Sequence, residues 1–154
     1  MSTKTMTPTV TPTEQRAWKG GLAAGLAGGA VMGVMLTTMM TPVIEVAIPA
    51  MYGLSGGAAG WVIHMSHSAI LGVAFVGLAN ALGVGEGLPK SVGLGVAYGV
   101  VLWILLAALV MPVWLGAVGF AGAPPLPNFN PTSLVGHVVY GGVLGAVFPF
   151  VREL

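Results

Sequence analysis

The sequence predicts an all-α membrane protein in which four transmembrane helices form a four-helix bundle from two tandem, like-oriented hairpins. Three observations lead to this prediction. Of the 154 residues, 56% are hydrophobic and only 6% are charged, which is far more apolar than a soluble domain. The chain contains four apolar runs of the roughly 20 residues needed to cross a bilayer. The second and fourth of these runs are also similar in sequence.

The four runs occupy most of the chain after its polar beginning. They cover residues 18–40, 58–82, 91–115 and 133–151. Residues 18–154 therefore form a single transmembrane domain, which we expect to contact the lipid bilayer as a multi-pass protein of the cell inner (plasma) membrane. Residues 1–17, MSTKTMTPTVTPTEQRA, are rich in Thr and Pro. They cannot bury enough apolar area to order themselves, so we expect a disordered cytoplasmic tail.

The first helix carries glycines at every fourth position. They form a stripe of small residues: Gly21, Gly25, Gly29 and Gly33. In lipid, such a stripe lets helix backbones approach closely. Four methionines share the end of this helix: Met32, Met35, Met39 and Met40. Methionine commonly fills gaps in a core, although clustered thioethers also suit Cu(I). Pro42 and Pro49 predict the end of the helix.

An internal repeat connects the two halves of the chain. A shift of 73 positions aligns three pairs: His64 with His137, His67 with Tyr140, and Gly72 with Gly145. A shift of 70 aligns three more: Gly25 with Gly95, Gly29 with Gly99, and Pro42 with Pro112. We interpret residues 18–83 and 91–151 as two copies of one hairpin. Same-direction repeats predict a pseudo-twofold axis along the membrane normal.

The link before the fourth helix, GAVGFAGAPPLPNFNP, has no charged residue and four prolines. It is too apolar for a freely solvated loop, so we expect it to lie in the interface or to pack over the end of the bundle. Thr132 or Ser133 is predicted to cap the helix that follows.

Basic residues predict the orientation of the chain. All five fall at span ends on one side of the membrane: Lys4, Arg16, Lys19, Lys90 and Arg152. Because Lys and Arg concentrate in cytoplasmic loops, both termini are predicted to be cytoplasmic.

Composition disfavours several functional classes. A net charge of +1 without a Lys/Arg cluster argues against nucleic-acid binding. The absence of cysteine removes disulfides, thiolate metal sites and Fe–S clusters. No carboxylate accompanies the histidines beside Ser66 and Ser68 to orient a base, so we do not expect an enzyme acting by itself.

Three histidines lie near the predicted outer ends of the second and fourth helices: His64, His67 and His137. Ionisable side chains within a span usually face the bundle interior and serve a function. His64 and His137, on diagonal helices, could ligate a metal, and a six-coordinate b-type haem requires two such imidazoles. The predicted cofactor-binding set is completed by four further residues: His67, Tyr140, Gly72 and Gly145. The glycines would leave room for a flat ring.

These observations favour a non-enzymatic integral membrane subunit that binds haem b in electron transfer. We expect such a subunit to associate with other membrane subunits or with a second copy of itself. One alternative is a structural or assembly subunit whose histidines only form hydrogen bonds between helices. Others are a small dimeric transporter, with Glu45 and the histidines relaying protons, and a copper-handling protein. The candidate copper ligands are His64, Met65, His67, His137, Met40 and Met111.

Three stretches carry a resemblance to a known group of proteins. They are the glycine stripe running into Met-Thr-Pro at 40–42, GWVIHMSHSAILG at 60–72, and GHVVYGGVLG at 136–145. Together they resemble a family of small prokaryotic four-span integral membrane proteins over roughly residues 20–151. The resemblance implies the four-span architecture and the pairing of His64 with His137. It implies no activity and transfers no catalytic residue.

Overall fold

The computed structural model describes residues 12–84 and 87–154, and within these ranges the chain is helical with no β-strand. Four of its helices are long and apolar enough to cross a membrane. They are α1 (Pro12–Met39), α2 (Gly57–Ala81), α3 (Leu88–Ala117) and α4 (Pro131–Val151). Each overlaps its predicted span and differs by a few residues at the ends. The predicted tail falls partly in α1, which begins at Pro12, while residues 1–11 lie outside the described residues.

The predicted glycine stripe of α1 packs against α2. Gly21 and Gly25 lie directly on Gly72, where a methyl group added at Gly25 would come within 2.8 Å of the Gly72 Cα. Further along the stripe, Gly33 makes room for the indole of Trp61, whose Nε1–H donates to Thr37 Oγ1 at 3.1 Å. In lipid, helices associate through close contact of their backbones at small residues. The lipid tails are as apolar as the side chains, so no hydrophobic effect brings the helices together.

A second face of α1 packs against α4, and the sequence reading missed it. Its small residues are Gly20, Ala24 and Gly28, all buried. A methyl group at Gly28 would lie 2.7 Å from the carbonyl oxygen of Tyr140, so the α4 backbone also approaches closely. Helix α1 is therefore in contact with two neighbours rather than one.

Helices α3 and α4 pack through their own glycines. Gly95 contacts Gly141 and Gly145, and Gly99 contacts the carbonyl oxygen of His137. By contrast, α2 and α3 meet mainly through large side chains. Tyr98 donates its hydroxyl to Leu71 O at 2.8 Å, and its ring lies 5.5 Å from that of Phe75.

The prediction that the first helix ends at Pro42 is confirmed to within a few residues, since α1 ends at Met39. Beyond the break at Met40, helical structure resumes through a π-helical segment, Val43–Ala47, and the short helix Ile48–Ala50. Pro49 therefore does not end α1 but lies in the first turn of the short helix. Proline is tolerated there because its missing N–H has no partner in a first helical turn.

The apolar link before α4 packs back onto α3, whose middle is π-helical over Trp103–Val110. Pro112 lies four residues after Ala108 and has no N–H to donate to the Ala108 carbonyl. Asn128 N–H supplies that bond at 2.9 Å, and Trp103 Nε1–H donates to Asn130 O at 3.2 Å. The link therefore satisfies a carbonyl that proline would leave without a donor.

The predicted cap of α4 is also corrected. The capping side chain is Asn130, whose Oδ1 accepts a hydrogen bond from Ser133 N–H at 3.0 Å. Asn130 has an extended backbone, whereas Thr132 and Ser133 already lie within the helix. Because an N-cap residue must be non-helical, neither hydroxyl residue occupies the capping position.

Candidate functional site

His64 projects from α2 towards α1 and is buried. Its Nε2–H donates to the carbonyl oxygen of Gly29 at 2.9 Å. The indole of Trp61 lies edge-on to the imidazole, with 6.3 Å between ring centroids. The next turn continues the contact, since Ser68 lies against Gly29 and the Ser68 hydroxyl donates to His64 O. His64 thus adds a directed polar bond to an interface otherwise made of small residues.

His137 lies half-buried on α4 and makes a local bond. Its Nδ1–H donates to the carbonyl oxygen of Ser133 at 2.8 Å, one turn earlier in the same helix. This bond fixes the tautomer in which Nε2 carries no proton, the form of imidazole that ligates metals.

His67 belongs to a different cluster, at the end of α2 nearest the first link. Its Nε2 shares a hydrogen bond of 2.6 Å with the Tyr52 hydroxyl. The Tyr52 ring lies 5.3 Å from the indole of Trp114 on α3. The cluster therefore connects the first link, α2 and the last turns of α3. His67 faces these groups, while His64, one turn away, faces α1.

The remaining predicted site residues are packing residues in the structure. Tyr140 is 2% exposed, and its hydroxyl donates to Ser68 O at 2.8 Å. Gly72 lies against Gly21 and Gly25, and Gly145 lies against Ser91. At both glycines, the backbone of a neighbouring helix fills the space that a side chain would occupy.

Sequence reasoning missed several partners of the histidines. Tyr52 was not singled out because it lies in the link between the first two spanning helices. Trp114 was not singled out because it lies beyond Pro112. Gly29 O and Ser133 O are main-chain acceptors, and the residue name gives no sign of where a carbonyl points. A tyrosine close to a predicted helix end was the only available signal for the Tyr52 contact.

One imidazole bonds α2 to α1, one bonds within α4, and one bonds α2 to the link that contains Tyr52. Only the first of these bonds joins two spanning helices. Within residues 12–84 and 87–154, no group of three or more His, Cys, Asp or Glu side chains comes together. Comparisons with protein-family models, curated proteins and solved structures find no match to this chain.

Proposed function

We propose that this chain is a non-enzymatic structural subunit of a membrane assembly, and that His64 holds two of its spanning helices together. The observation that carries the proposal is the bond from His64 Nε2–H to Gly29 O. It lies along the face where the glycines of α1 pack against α2, between the contacts at Gly25 and Gly33. In hydrocarbon, a polar bond of this kind gives a fixed register to helices that glycines alone allow to slide.

The same proposal includes the four-helix bundle of two tandem hairpins. Support comes from contacts that repeat between the halves: Gly25 on Gly72, and Gly95 on Gly145. Further support comes from Phe75 and Phe148, which the repeat aligns with each other. Their rings meet edge-to-face with centroids 5.6 Å apart, and both are essentially fully buried. Two equivalent residues that touch must lie beside the axis relating them.

The proposed orientation places both termini in the cytoplasm and the histidines in the outer half of the bilayer. The distribution of Lys and Arg supports it. In this orientation the cluster of Tyr52, His67 and Trp114 lies at the outer interface. Tyr and Trp are enriched at that depth because their rings are amphipathic.

Haem b, with an electron-transfer role, is the second candidate. It is favoured by the orientation of His137, whose Nδ1–H bond to a carbonyl is typical of a ligating histidine. The other proposed ligand fits less well, because Nε2 of His64 is occupied by Gly29 O. For His64 to bind the same metal through Nε2, it would have to release α1. The geometry therefore ranks the structural function first.

The two functions are separated by an absorption spectrum of the protein purified in mild detergent from its native membrane, oxidised and dithionite-reduced. We expect no Soret band and no bound iron. We also expect His64→Ala to lower the free energy of unfolding by about 0.6 to 2 kcal/mol, the range of hydrogen bonds between membrane helices. His137→Ala should lower it less, because its bond lies within one helix.

A Soret band that disappears in both variants would reject the structural proposal in favour of haem ligation by His64 and His137. A band lost in His67→Ala alone would reject that ligand pair as well.

A further inference from the structure

A crevice lies between the carboxyl end of α1 and the amino end of α4, and none of the three histidines is among the residues that line it. It is lined by Met32, Met35, Leu36, Met39, Met40, Thr132, Ser133 and Gly136. Half of these residues are methionines, although the chain has only nine methionines in all. We propose that the crevice is a thioether site for one soft monovalent metal ion, of the Cu(I) or Ag(I) type.

Helix geometry places the sulfur donors together. Met32, Met35 and Met39 are spaced i, i+3 and i+7, so they lie along one face of α1. Met40 follows at the break in the helix. Opposite them, the Met32 side chain packs against Gly136, where an added methyl group would lie 3.4 Å from its Cε. Because Gly136 has no side chain, the Met32 side chain approaches the α4 backbone directly.

The exposure of these methionines differs from that of gap-filling residues. Met32 is buried and does fill the core. Met39, however, is 60% exposed, and Met35 and Met40 are half-buried at the mouth of the crevice. A gap-filling methionine lies within the gap, whereas Met35, Met39 and Met40 line a crevice and keep part of their surface outside the core. Side chains at a mouth can move to meet an ion at little cost in packing.

The chemistry of the lining selects the kind of ion. None of the eight lining residues is charged, so a bound ion brings in its charge without a counter-charge. The free energy needed to bury an uncompensated charge in a membrane rises steeply with the size of the charge. The crevice therefore favours a monovalent ion. Thioether sulfur is a soft ligand that prefers Cu(I) to Mg²⁺ or Ca²⁺. The free space is about that of one water molecule, which admits an ion and excludes a lipid chain.

Helix dipoles nearly cancel at this point. The crevice lies at the carboxyl end of α1, whose partial negative charge favours a cation, and at the amino end of α4, whose partial positive charge opposes it. Binding must therefore come from the sulfurs themselves. The hydroxyls of Thr132 and Ser133 also line the crevice and are weaker, harder donors.

The test is metal binding by the full-length protein in detergent, purified with a tag that contains no His, Cys or Met. Ag(I) is titrated directly, and Cu(I) is titrated under reductant against a competing chelator. The crevice variant is Met35→Leu/Met39→Leu/Met40→Leu. The control, Met51→Leu/Met65→Leu/Met111→Leu, removes three thioethers that are also half-buried but do not line the crevice. Met-to-Leu exchange conserves volume, so both variants should fold.

We expect one ion per chain in the wild type and in the control. The crevice variant should lose affinity by about tenfold or more, at least the loss seen when indirect metal contacts are removed. Equal losses in the two triple variants, no binding by the wild type, or equally tight binding of Zn²⁺ would each overturn the proposal. Should the crevice variant not fold, X-ray absorption of the silver-loaded wild type decides: sulfur neighbours support the site, and nitrogen or oxygen neighbours alone reject it. The absorption spectrum that tests the structural function does not depend on this result.

Discussion

A single side chain decides where α4 begins, and that residue is Asn130. It caps the helix through Oδ1, and its carbonyl accepts from Trp103 on α3. The sequence analysis predicted Thr132 or Ser133 as the cap, although Asn130, just before them, is of an equally suitable type. Only the backbone conformation distinguishes them, and residue type does not encode that conformation uniquely. The same limit applies to His64, whose burial was expected but whose acceptor is a main-chain oxygen.

The cap gives a prediction at the residue scale. Asn130→Ala removes the acceptor for Ser133 N–H and should lower the free energy of unfolding by about 1 kcal/mol. Denaturant or thermal unfolding in detergent measures the change. Asn128→Ala is the matched control, because Asn128 contributes its main-chain N–H, which alanine retains. If Asn130→Ala and Asn128→Ala lower the free energy of unfolding equally, loss of the cap is not the cause of the destabilisation.

Whole helices pair through their glycines, and the sequence predicted one of the two small-residue faces of α1. The stripe from Gly21 to Gly33 was visible because one residue type recurs every fourth position. The second stripe was hidden, since Ala24 interrupts the glycines at Gly20 and Gly28. The end of α1 before Pro42 was predicted as well, because a proline both lacks the N–H and clashes with the preceding turn. The position of Pro49 was not, since it lies in the first turn of a short helix.

Glycine contacts give a prediction at the scale of the element. Gly72→Ala should destabilise the protein by about 1 to 3 kcal/mol, the usual cost of overpacking, because the added methyl group would strike Gly21 O and Gly25. Gly145→Ala should cost a similar amount against Ser91.

The matched control for the glycine variants is Gly77→Ala. It lies in the same helix as Gly72, with no atom within 4 Å of the position a methyl group would take. It should be neutral or slightly stabilising, since alanine favours a helix more than glycine does. If Gly77→Ala lowers the free energy of unfolding as much as Gly72→Ala and Gly145→Ala do, glycine packing is not the cause of the loss.

For the whole molecule, composition and length were sufficient to predict four helices able to span a membrane. They also predicted positions close to those observed, because a bilayer fixes how long an apolar run must be. The contacts of side chains within the candidate site could not be predicted from the sequence as well as the spans. The repeat placed His67 and Tyr140 at equivalent positions, yet Tyr140 contacts Ser68 O and His67 contacts Tyr52.

The orientation of the chain is tested at this scale by single cysteines, since the natural sequence has none. Ser55→Cys places a thiol in the first link, and Gly87→Cys places one just before α3. In intact cells, a membrane-impermeant maleimide should label Ser55→Cys and should reach Gly87→Cys only after the membrane is opened. The reverse pattern would place the termini outside and overturn the proposed topology.

The glycine contacts also imply an order of assembly. Those between α1 and α2, and those between α3 and α4, join helices that are adjacent along the chain. Each pair can therefore close as soon as its second helix has entered the membrane, at a small entropic cost for the loop. The contact of Gly28 with Tyr140 joins the first helix to the last. It has to wait until α4 has entered the membrane, and until then the face of α1 formed by Gly20, Ala24 and Gly28 stays open to lipid.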